Sequence, residues 1–244
     1  MKQEKTKIEN QKIEKEFIKT EKETEAESLP SITPAKLKIK MFKENPPLIV
    51  DTRSNILYQK SHILNSIQLN DLNPTQNNKN IVLVTNNEND STLVSLHKSL
   101  TSAGNQVHIL TGGLDAWKNS GGTIISFGDP ESFIDQSKVK LVEPRDVNKV
   151  RTENPENILI IDVRREGNFK KSHIPNAINI PLLELEKKHR DISMKKNIYV
   201  YGADELTSFS AGVILYDLGF FNVKTINGGF IAWEKYEYPV EANK

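Results

Sequence analysis

The chain has 244 residues, of which 36% are hydrophobic and 27% charged, and its formal net charge is +1. A net charge so close to zero gives no overall field that would attract nucleic acid or an anionic membrane surface. Cysteine is absent, which excludes disulfides, thiolate nucleophiles, cysteine-based zinc sites and lipid attachment to cysteine. The sequence shows no signal peptide and no apolar run near the roughly 20 residues that a membrane helix needs, so a cytoplasmic location is expected.

The N-terminal segment, residues 1–30, interleaves Lys, Glu and Thr with few apolar side chains. Such a segment buries too little apolar surface to offset the entropy lost on ordering. One alternative is a short amphipathic helix that docks on a partner. The irregular spacing of Ile8, Ile13, Phe17 and Ile18 instead favours a disordered or loosely helical tail.

Residues 31–126 carry the pattern of alternating strands and helices. Thr33 is placed to cap a helix that has Pro34 in its first turn, where proline is favoured. Short apolar runs of the kind found in buried parallel strands lie at 48–50, 81–84 and 107–110. Between the last two runs, Leu93, Leu96 and Leu100 fall on one helical face, and a glycine pair at 112–113 opens a further helix. The pattern predicts an α/β domain with a mostly parallel central sheet flanked by helices.

Residues 139–242 repeat this order. The stretch LIVDTRSNILYQKSHILNSI (48–67) recurs as LIIDVRREGNFKKSHIPNAI (159–178), and TGGLDAW (111–117) recurs as NGGFIAW (227–233). A unit of this length that recurs in the same internal order is a small autonomous domain used twice. Residues 127–138 contain Gly, Pro, Ser and several charges and are expected to be the linker. We therefore expect a monomer with an intramolecular pair of domains.

Both copies resemble rhodanese-homology domains, the fold of thiosulfate sulfurtransferases. The stretch DVRREGNFKKSHIPNAINIP (162–181) is similar to the family's segment from an Asp-x-Arg strand end to a His-Ile-Pro-Gly-Ala turn, and NGGFIAW is similar to its closing helix. The first copy departs by having Leu64 in place of proline. Asn65 and Asn176 replace the turn glycine, which a left-handed backbone would explain, since Asn tolerates that conformation best after Gly.

The resemblance implies an active-site loop that begins with a nucleophilic cysteine directly after a strand. In that loop, backbone N–H groups and a helix N-terminus bind an anion and lower the thiol pKa, so that a thiolate can carry a persulfide. Aligning the preceding strands places Thr85 and Gly202 at the nucleophile's position. Threonine needs a neighbouring base and glycine has no side chain, so we expect no catalytic residue, no metal and no cofactor. The two degenerate loops comprise Thr85, Asn86, Asn87, Glu88, Asn89, Asp90 and Ser91, and Gly202, Ala203, Asp204, Glu205, Leu206, Thr207 and Ser208.

The loops also carry acidic residues where an anion would bind. Asp90 and Thr207 stand where active members often place Arg, and Glu88, Asp204 and Glu205 add negative charge. Each carboxylate within a few Å of a small anion costs about 1–4 kcal/mol, so thiosulfate or phosphate should bind poorly. A compatible alternative is that these acids stabilise the N-terminus of the following helix.

Six residues that both copies retain are interpreted as structural. The acidic and basic members are expected to form ion pairs that lock a strand to the next loop, and the histidines to pack in a turn, although catalytic groups also often lie at strand ends. They are Asp51, Arg53, His62, Asp162, Arg164 and His173.

Two functions from different classes remain. The leading hypothesis is a non-catalytic binding, scaffolding or regulatory module whose partner is another protein, with no nucleic acid and no membrane. Its recognition surface would lie at the carboxyl ends of the strands. The alternative is a sulfurtransferase-like enzyme whose reactive thiol is supplied by a partner protein.

Overall fold

The computed structural model describes residues 29–73, 79–86 and 91–242. The predicted tail therefore lies outside the described residues as far as residue 28. At its end, Leu29 packs against a buried apolar cluster of the first unit. The carbonyl of Pro30 accepts a hydrogen bond from the Ile109 N–H at 2.8 Å. The folded body thus includes these two residues, which the sequence pattern assigned to the tail.

The first unit is built on a five-stranded parallel sheet with strand order β1-β6-β5-β2-β4. Its sheet strands are β1 (Ser31–Ile32), β2 (Leu48–Asp51), β4 (Ile67–Gln68), β5 (Asn80–Val84) and β6 (Gln106–Leu110). Its helices are α1 (Pro34–Met41), α2 (Asn55–Lys60), α3 (Ser91–Ser102) and α4 (Gly113–Asn119). A separate antiparallel pair joins β3 (His62–Ile63) to β7 (Ile124–Ile125).

The second unit repeats the same topology. Its five parallel strands have the order β8-β12-β11-β9-β10, which corresponds strand for strand to the first sheet. They are β8 (Leu141–Val142), β9 (Ile158–Asp162), β10 (Ala177–Asn179), β11 (Asn197–Tyr201) and β12 (Lys224–Ile226). The helices are α6 (Pro144–Glu153), α7 (Glu166–Lys171), α8 (Leu185–Lys188), α9 (Glu205–Asp217) and α10 (Gly229–Lys235). The prediction of two α/β units with mostly parallel sheets is confirmed.

Local sequence features act as expected at helix starts and turns. Thr33 caps α1 by accepting a hydrogen bond from the Lys36 N–H at 3.4 Å, with Pro34 as the first helical residue. Asn65 and Asn176 both have positive φ, 62° and 65°. The left-handed conformation predicted for these two turns is therefore confirmed.

One apolar cluster contains residues of both units. Ile125 of β7 is fully buried in a cluster made otherwise by the second unit, and Leu64 and Phe127 pack against the same cluster. The first unit thus contributes its β3–β7 end to the second unit's interior. This contact makes the pair a single packed body at this end.

The connecting segment contains a helix. Residues 127–138, predicted to be a linker, include α5 (Phe133–Lys138), and Lys138 Nζ lies 2.9 Å from a carboxylate oxygen of both Asp135 and Asp217. Asp217 also accepts a hydrogen bond from the Ser126 N–H at 3.0 Å. Burial raises the pKa of Asp217, and the neighbouring Lys138 ammonium opposes that rise. The connector is therefore attached to α9 at both ends.

Across the part of the chain that the structure describes, no helix combines the length and the apolar character needed to cross a membrane.

Candidate functional site

The degenerate loop of the second unit follows β11 at the carboxyl end of the sheet. The Gly202 N–H donates to Ser208 Oγ at 2.9 Å, so the start of the loop is bonded to the first turns of α9. The Phe230 and Ile231 N–H groups donate to the carbonyls of Gly202 and Ala203, each at 3.0 Å. The loop is thus held between the N-terminal ends of α9 and α10.

Asp204 and Thr207 form a reciprocal cap at the start of α9. The Asp204 carboxylate accepts a hydrogen bond from the Thr207 N–H at 2.8 Å, and Thr207 Oγ1 accepts one from the Asp204 N–H at 3.1 Å. The bond from the Thr207 N–H lowers the pKa of the Asp204 carboxyl group. The carboxylate therefore occupies the helix N-terminus, the place where a bound anion would be stabilised. Glu205 is exposed in the same turn.

The position of the missing nucleophile is filled by its own loop. A Cβ atom added at Gly202 would meet the Thr207 side chain first, at Oγ1, and would lie 2.6 Å from Thr207 Cβ and 2.8 Å from its backbone carbon. Real Cβ atoms essentially never come within 3.0 Å of such atoms. Glycine at this position is thus a steric requirement of the capped loop, which has no room for a thiol.

The first unit differs at the same place. Thr85 is buried at the end of β5, and a cavity of about 300 Å³ lies beside it. Its walls combine Leu57 and Leu69 with hydroxyl side chains such as Thr52. Asn86 also lines the cavity, whereas Asn87, Glu88, Asn89 and Asp90 lie outside the described residues and Ser91 is the first residue of α3.

The retained aspartate and arginine form a buried ion pair in each unit. Arg53 Nη2 lies 2.7 Å from Asp51 Oδ2 and donates to the Ser61 carbonyl at 2.6 Å. Arg164 makes the same contacts with Asp162 and with the Ser172 carbonyl, and its guanidinium lies 3.6 Å from the centre of the Phe230 ring. The pair joins the strand end to the residue before the His-Ile turn.

The ion pair between Arg53 and Asp51 determines how much free positive charge the cavity beside Thr85 offers. Among the described residues that line it, Arg53 alone is charged. Its guanidinium is already paired with Asp51 through Nε and Nη2. As far as its described lining goes, the cavity thus offers hydroxyl, amide and apolar groups and no unpaired cation for an inorganic anion.

The two retained histidines are held by similar contacts. His62 Nδ1 lies 2.9 Å from the Tyr58 carbonyl, and His173 Nδ1 lies 2.8 Å from the Phe169 carbonyl. A carbonyl only accepts hydrogen bonds, so Nδ1 carries the proton in both rings. Each imidazole also stacks on the aromatic ring of the same partner, with ring centres 3.9 Å apart. Both rings are therefore fixed in place within their turns.

The carboxylates opposite the histidines come from different places in the chain. Glu186 of the second unit reaches His62 Nε2 at 2.8 Å and accepts from the Asn65 N–H at 2.8 Å. The corresponding contacts in the second unit come from Glu241, at 3.8 Å from His173 Nε2 and 3.2 Å from the Asn176 N–H. The sequence pattern did not identify Glu186, because no repeated motif includes it.

Comparison with known proteins gives one family. The model of the rhodanese-like domain matches residues 33–120 and again residues 145–236. Over 87 residues the chain is 30% identical to the thiosulfate sulfurtransferase GlpE of Coxiella burnetii, covering 36% of this chain and 81% of that protein. Over 74 residues it is 34% identical to the uncharacterized protein YqhL of Bacillus subtilis, covering 30% of this chain and 59% of that protein.

Solved structures show similar matches. The crystal structure of the BH2092 protein from Bacillus halodurans is 27% identical, with 45% of this chain and 81% of that chain covered and a TM-score of 0.39. The thiosulfate sulfurtransferase from Pseudomonas aeruginosa is 17% identical, with 88% of this chain and 44% of that chain covered and a TM-score of 0.43. The resemblance predicted from the repeated motifs is confirmed by the two family matches.

Proposed function

Because the chain belongs to the rhodanese-like domain family and carries two copies of the domain without a cysteine, we propose that it is a non-catalytic module that binds another protein. The observation that carries the proposal is the occupied nucleophile position, where Thr207 stands against the α-carbon of Gly202. A loop in which Thr207 packs against Gly202 presents only its outer surface to a partner. It leaves no room for a reacting sulfur.

Exposed aliphatic side chains next to both degenerate loops support a protein partner. In the second unit Leu206 and Ile231 are 58% and 60% exposed, and in the first unit Ile56 is 78% exposed on the helix that borders the cavity. Exposed apolar side chains gathered at one place are typical of protein interaction sites. An inorganic anion would gain nothing from them.

The charge of the same face argues against an anionic ligand. The second loop presents the exposed acid Glu205, and Arg53, which lines the cavity beside the first loop, is paired with Asp51. A phosphate backbone or an anionic membrane surface requires unpaired cations at the contact. The proposed partner is therefore a protein.

The alternative function, sulfur transfer through a partner's thiol, makes a different demand on the site. A persulfide brought in by a partner needs donors and positive charge around it to stabilise the transferred sulfur. In the second unit this space is filled by Thr207, and in the first the cationic group is already paired. These contacts favour the non-catalytic function.

Two measurements test the proposal. The full chain is assayed for sulfur transfer from thiosulfate to cyanide and, separately, to a protein thiol, and we expect no rate above that without protein. A photoreactive amino acid is then placed at Leu206 and, as a control, at Met194, which is 67% exposed beyond the opposite end of β11. A protein cross-linked from position 206 and not from 194 supports the proposal. Catalysed sulfur transfer, or identical cross-links from both positions, contradicts it.

A further inference from the structure

A cleft of about 1,240 Å³ opens between the two units, away from the degenerate loops. One wall runs from Met41 at the end of α1 to Ile49, together with Lys79 and Asn80. The other wall is formed by Glu186, Lys187, His189 and Arg190, in α8 and the turn that follows it. Leu48 and Asn80 are the first residues of β2 and β5. The cleft therefore lies at the amino ends of these strands, opposite the face assigned to the proposed function.

Positive charge is concentrated on both walls of this cleft. Lys43 and Lys79 lie on the first wall, and Lys187 and Arg190 on the second. All four are exposed, and none forms a salt bridge with another residue in the described ranges. In a chain with a formal net charge of +1, four unpaired cations facing one cavity form a local site for negative charge.

In the part of the chain that the structure describes, two carboxylates also line the cleft, and one of them is already bound. Glu186 is held by His62 and by the Asn65 N–H, and its side chain is 16% exposed. Among the described residues that line the cleft, Glu44 is exposed and is the single acid that faces an incoming anion without such contacts. The balance of charge available to a ligand is therefore positive.

An exposed aromatic ring lies beside these cations. Phe42 is 89% exposed at the end of α1 and lines the cleft together with Pro46 and Pro47. Burial of an exposed large apolar side chain favours association. A ligand that carries only negative charge would leave this ring in water. The preferred ligand thus combines carboxylates with an apolar side chain.

The size of the cleft favours a polypeptide over a small molecule as its ligand. Cavities for small ligands usually have volumes of about 300–1,000 Å³ and enclose most of the ligand, whereas this cleft is larger and is open along the boundary between the units. We propose that it docks an acidic segment of a partner protein, with carboxylates at the four cations and an apolar side chain on Phe42. This contact is additional to the proposed function and does not depend on it.

The test uses the full chain and a short fluorescent peptide in which Glu and Asp alternate with Leu. The matched variants are K187E/R190E in the cleft and K149E/K235E, which alters the same charge at exposed positions on α6 and α10. Because like charges placed opposite each other repel at an interface, we expect the cleft variant to weaken binding at least about tenfold and the control to change it less than about twofold. F42A should weaken binding without altering charge.

Three outcomes overturn the proposal. Equal loss of affinity in both charge variants shows that the peptide senses net charge alone. Tighter binding of duplex DNA with the same dependence on Lys187 and Arg190 assigns the cleft to nucleic acid. A photo-cross-linker at Phe42 that attaches to Glu21–Glu27 of the same chain shows that the chain's own acidic residues occupy the cleft. A cross-link from Phe42 to the peptide supports the proposal.

Discussion

Glu186 of the second unit binds His62 of the first, with 2.8 Å between Oε1 and Nε2. In the second unit the equivalent carboxylate is Glu241, which pairs in the backbone with His173 just as Ile125 pairs with His62. An isoleucine thus stands in the first unit where the second has a glutamate. The isoleucine is buried in the neighbouring unit, and the neighbour supplies the carboxylate instead.

Removal of the Glu186 side chain should lower the free energy of unfolding more than removal of the Glu241 side chain. The Glu186 side chain is 16% exposed and makes two hydrogen bonds of 2.8 Å, whereas that of Glu241 is 52% exposed and lies 3.8 Å from its histidine. Hydrogen bonds to charged groups contribute about 1.5–3 kcal/mol and exposed ion pairs about 0–1 kcal/mol. Urea unfolding of E186A and E241A measures the loss in free energy of unfolding for each variant. Equal losses would contradict the assignment of Glu186 as the stronger contact.

Ile125→Ala should destabilise both units together. Deleting a buried isoleucine side chain costs about 2–5 kcal/mol, and this side chain lies in the core of the other unit. Trp117 and Trp233 report on one unit each. In variants that retain one of these tryptophans, we expect the two unfolding curves to coincide and to move together on I125A. Ile124→Ala, at a half-buried neighbour, serves as the control. Separate transitions would show that the units unfold independently.

Gly202→Cys should lower stability and still not restore sulfur transfer. The new Cβ meets Thr207, and overpacking of this kind costs about 1–3 kcal/mol. Gly167→Cys is the control, because a Cβ there has nothing within 4 Å. Adding T207G to G202C should recover part of the loss, so that the two changes are not additive.

The activity of these variants is measured with the same thiosulfate assay. Neutralising Asp204 and Glu205 in addition should help more than the cysteine alone, because it removes repulsion of the anionic donor. Full activity of G202C by itself would show that the loop opens readily and that both the steric and the electrostatic arguments are wrong.

Asp204→Ala should reduce stability by about 1 kcal/mol through loss of the helix cap, which corresponds to roughly 2–4 °C in the thermal midpoint. Asp204→Asn keeps an acceptor for the Thr207 N–H but lacks the negative charge, so at pH 7 it should lower stability less than Asp204→Ala does. The folded-state pKa of Asp204 lies below its ordinary value of 3.8. Its contribution is therefore complete above that value and is lost as the pH falls through the folded pKa.

The comparison across pH provides the check. Between pH 5 and pH 2, the stability of the wild type should fall towards or below that of D204N as the carboxylate is protonated. A constant difference between the two proteins over this range would show that the Asp204 carboxylate does not cap α9 in solution.

Much of the fold could be predicted because its signals are local. The repeated motifs gave the two units, apolar runs gave the central strands, and Thr33 and Asn65 marked a cap and a turn. The two-residue edge strands β1 and β8 are too short to leave a pattern in the sequence. Helix α5 lies in a segment rich in turn-forming residues.

The contacts within the site were less predictable. The missing cysteine was visible in the sequence, but the packing of Thr207 against Gly202 depends on loop geometry. Glu186 is separated from His62 by 124 residues, and no periodicity links positions so far apart. Pairings of this kind depend on how the two units pack against each other, which no local sequence pattern encodes.

The carboxylate of Asp217 has a consequence for how the two loop faces are presented. It binds the Ser126 N–H on one side of the connecting segment and Lys138 on the other, so it holds both ends of the connector. The distance between the faces of the two degenerate loops is then fixed by the protein. A ligand that touches both faces gains effective concentration when its own contact points match that distance and gains none when they do not. Selection by spacing would thus discriminate between partners whose individual contacts are equally good.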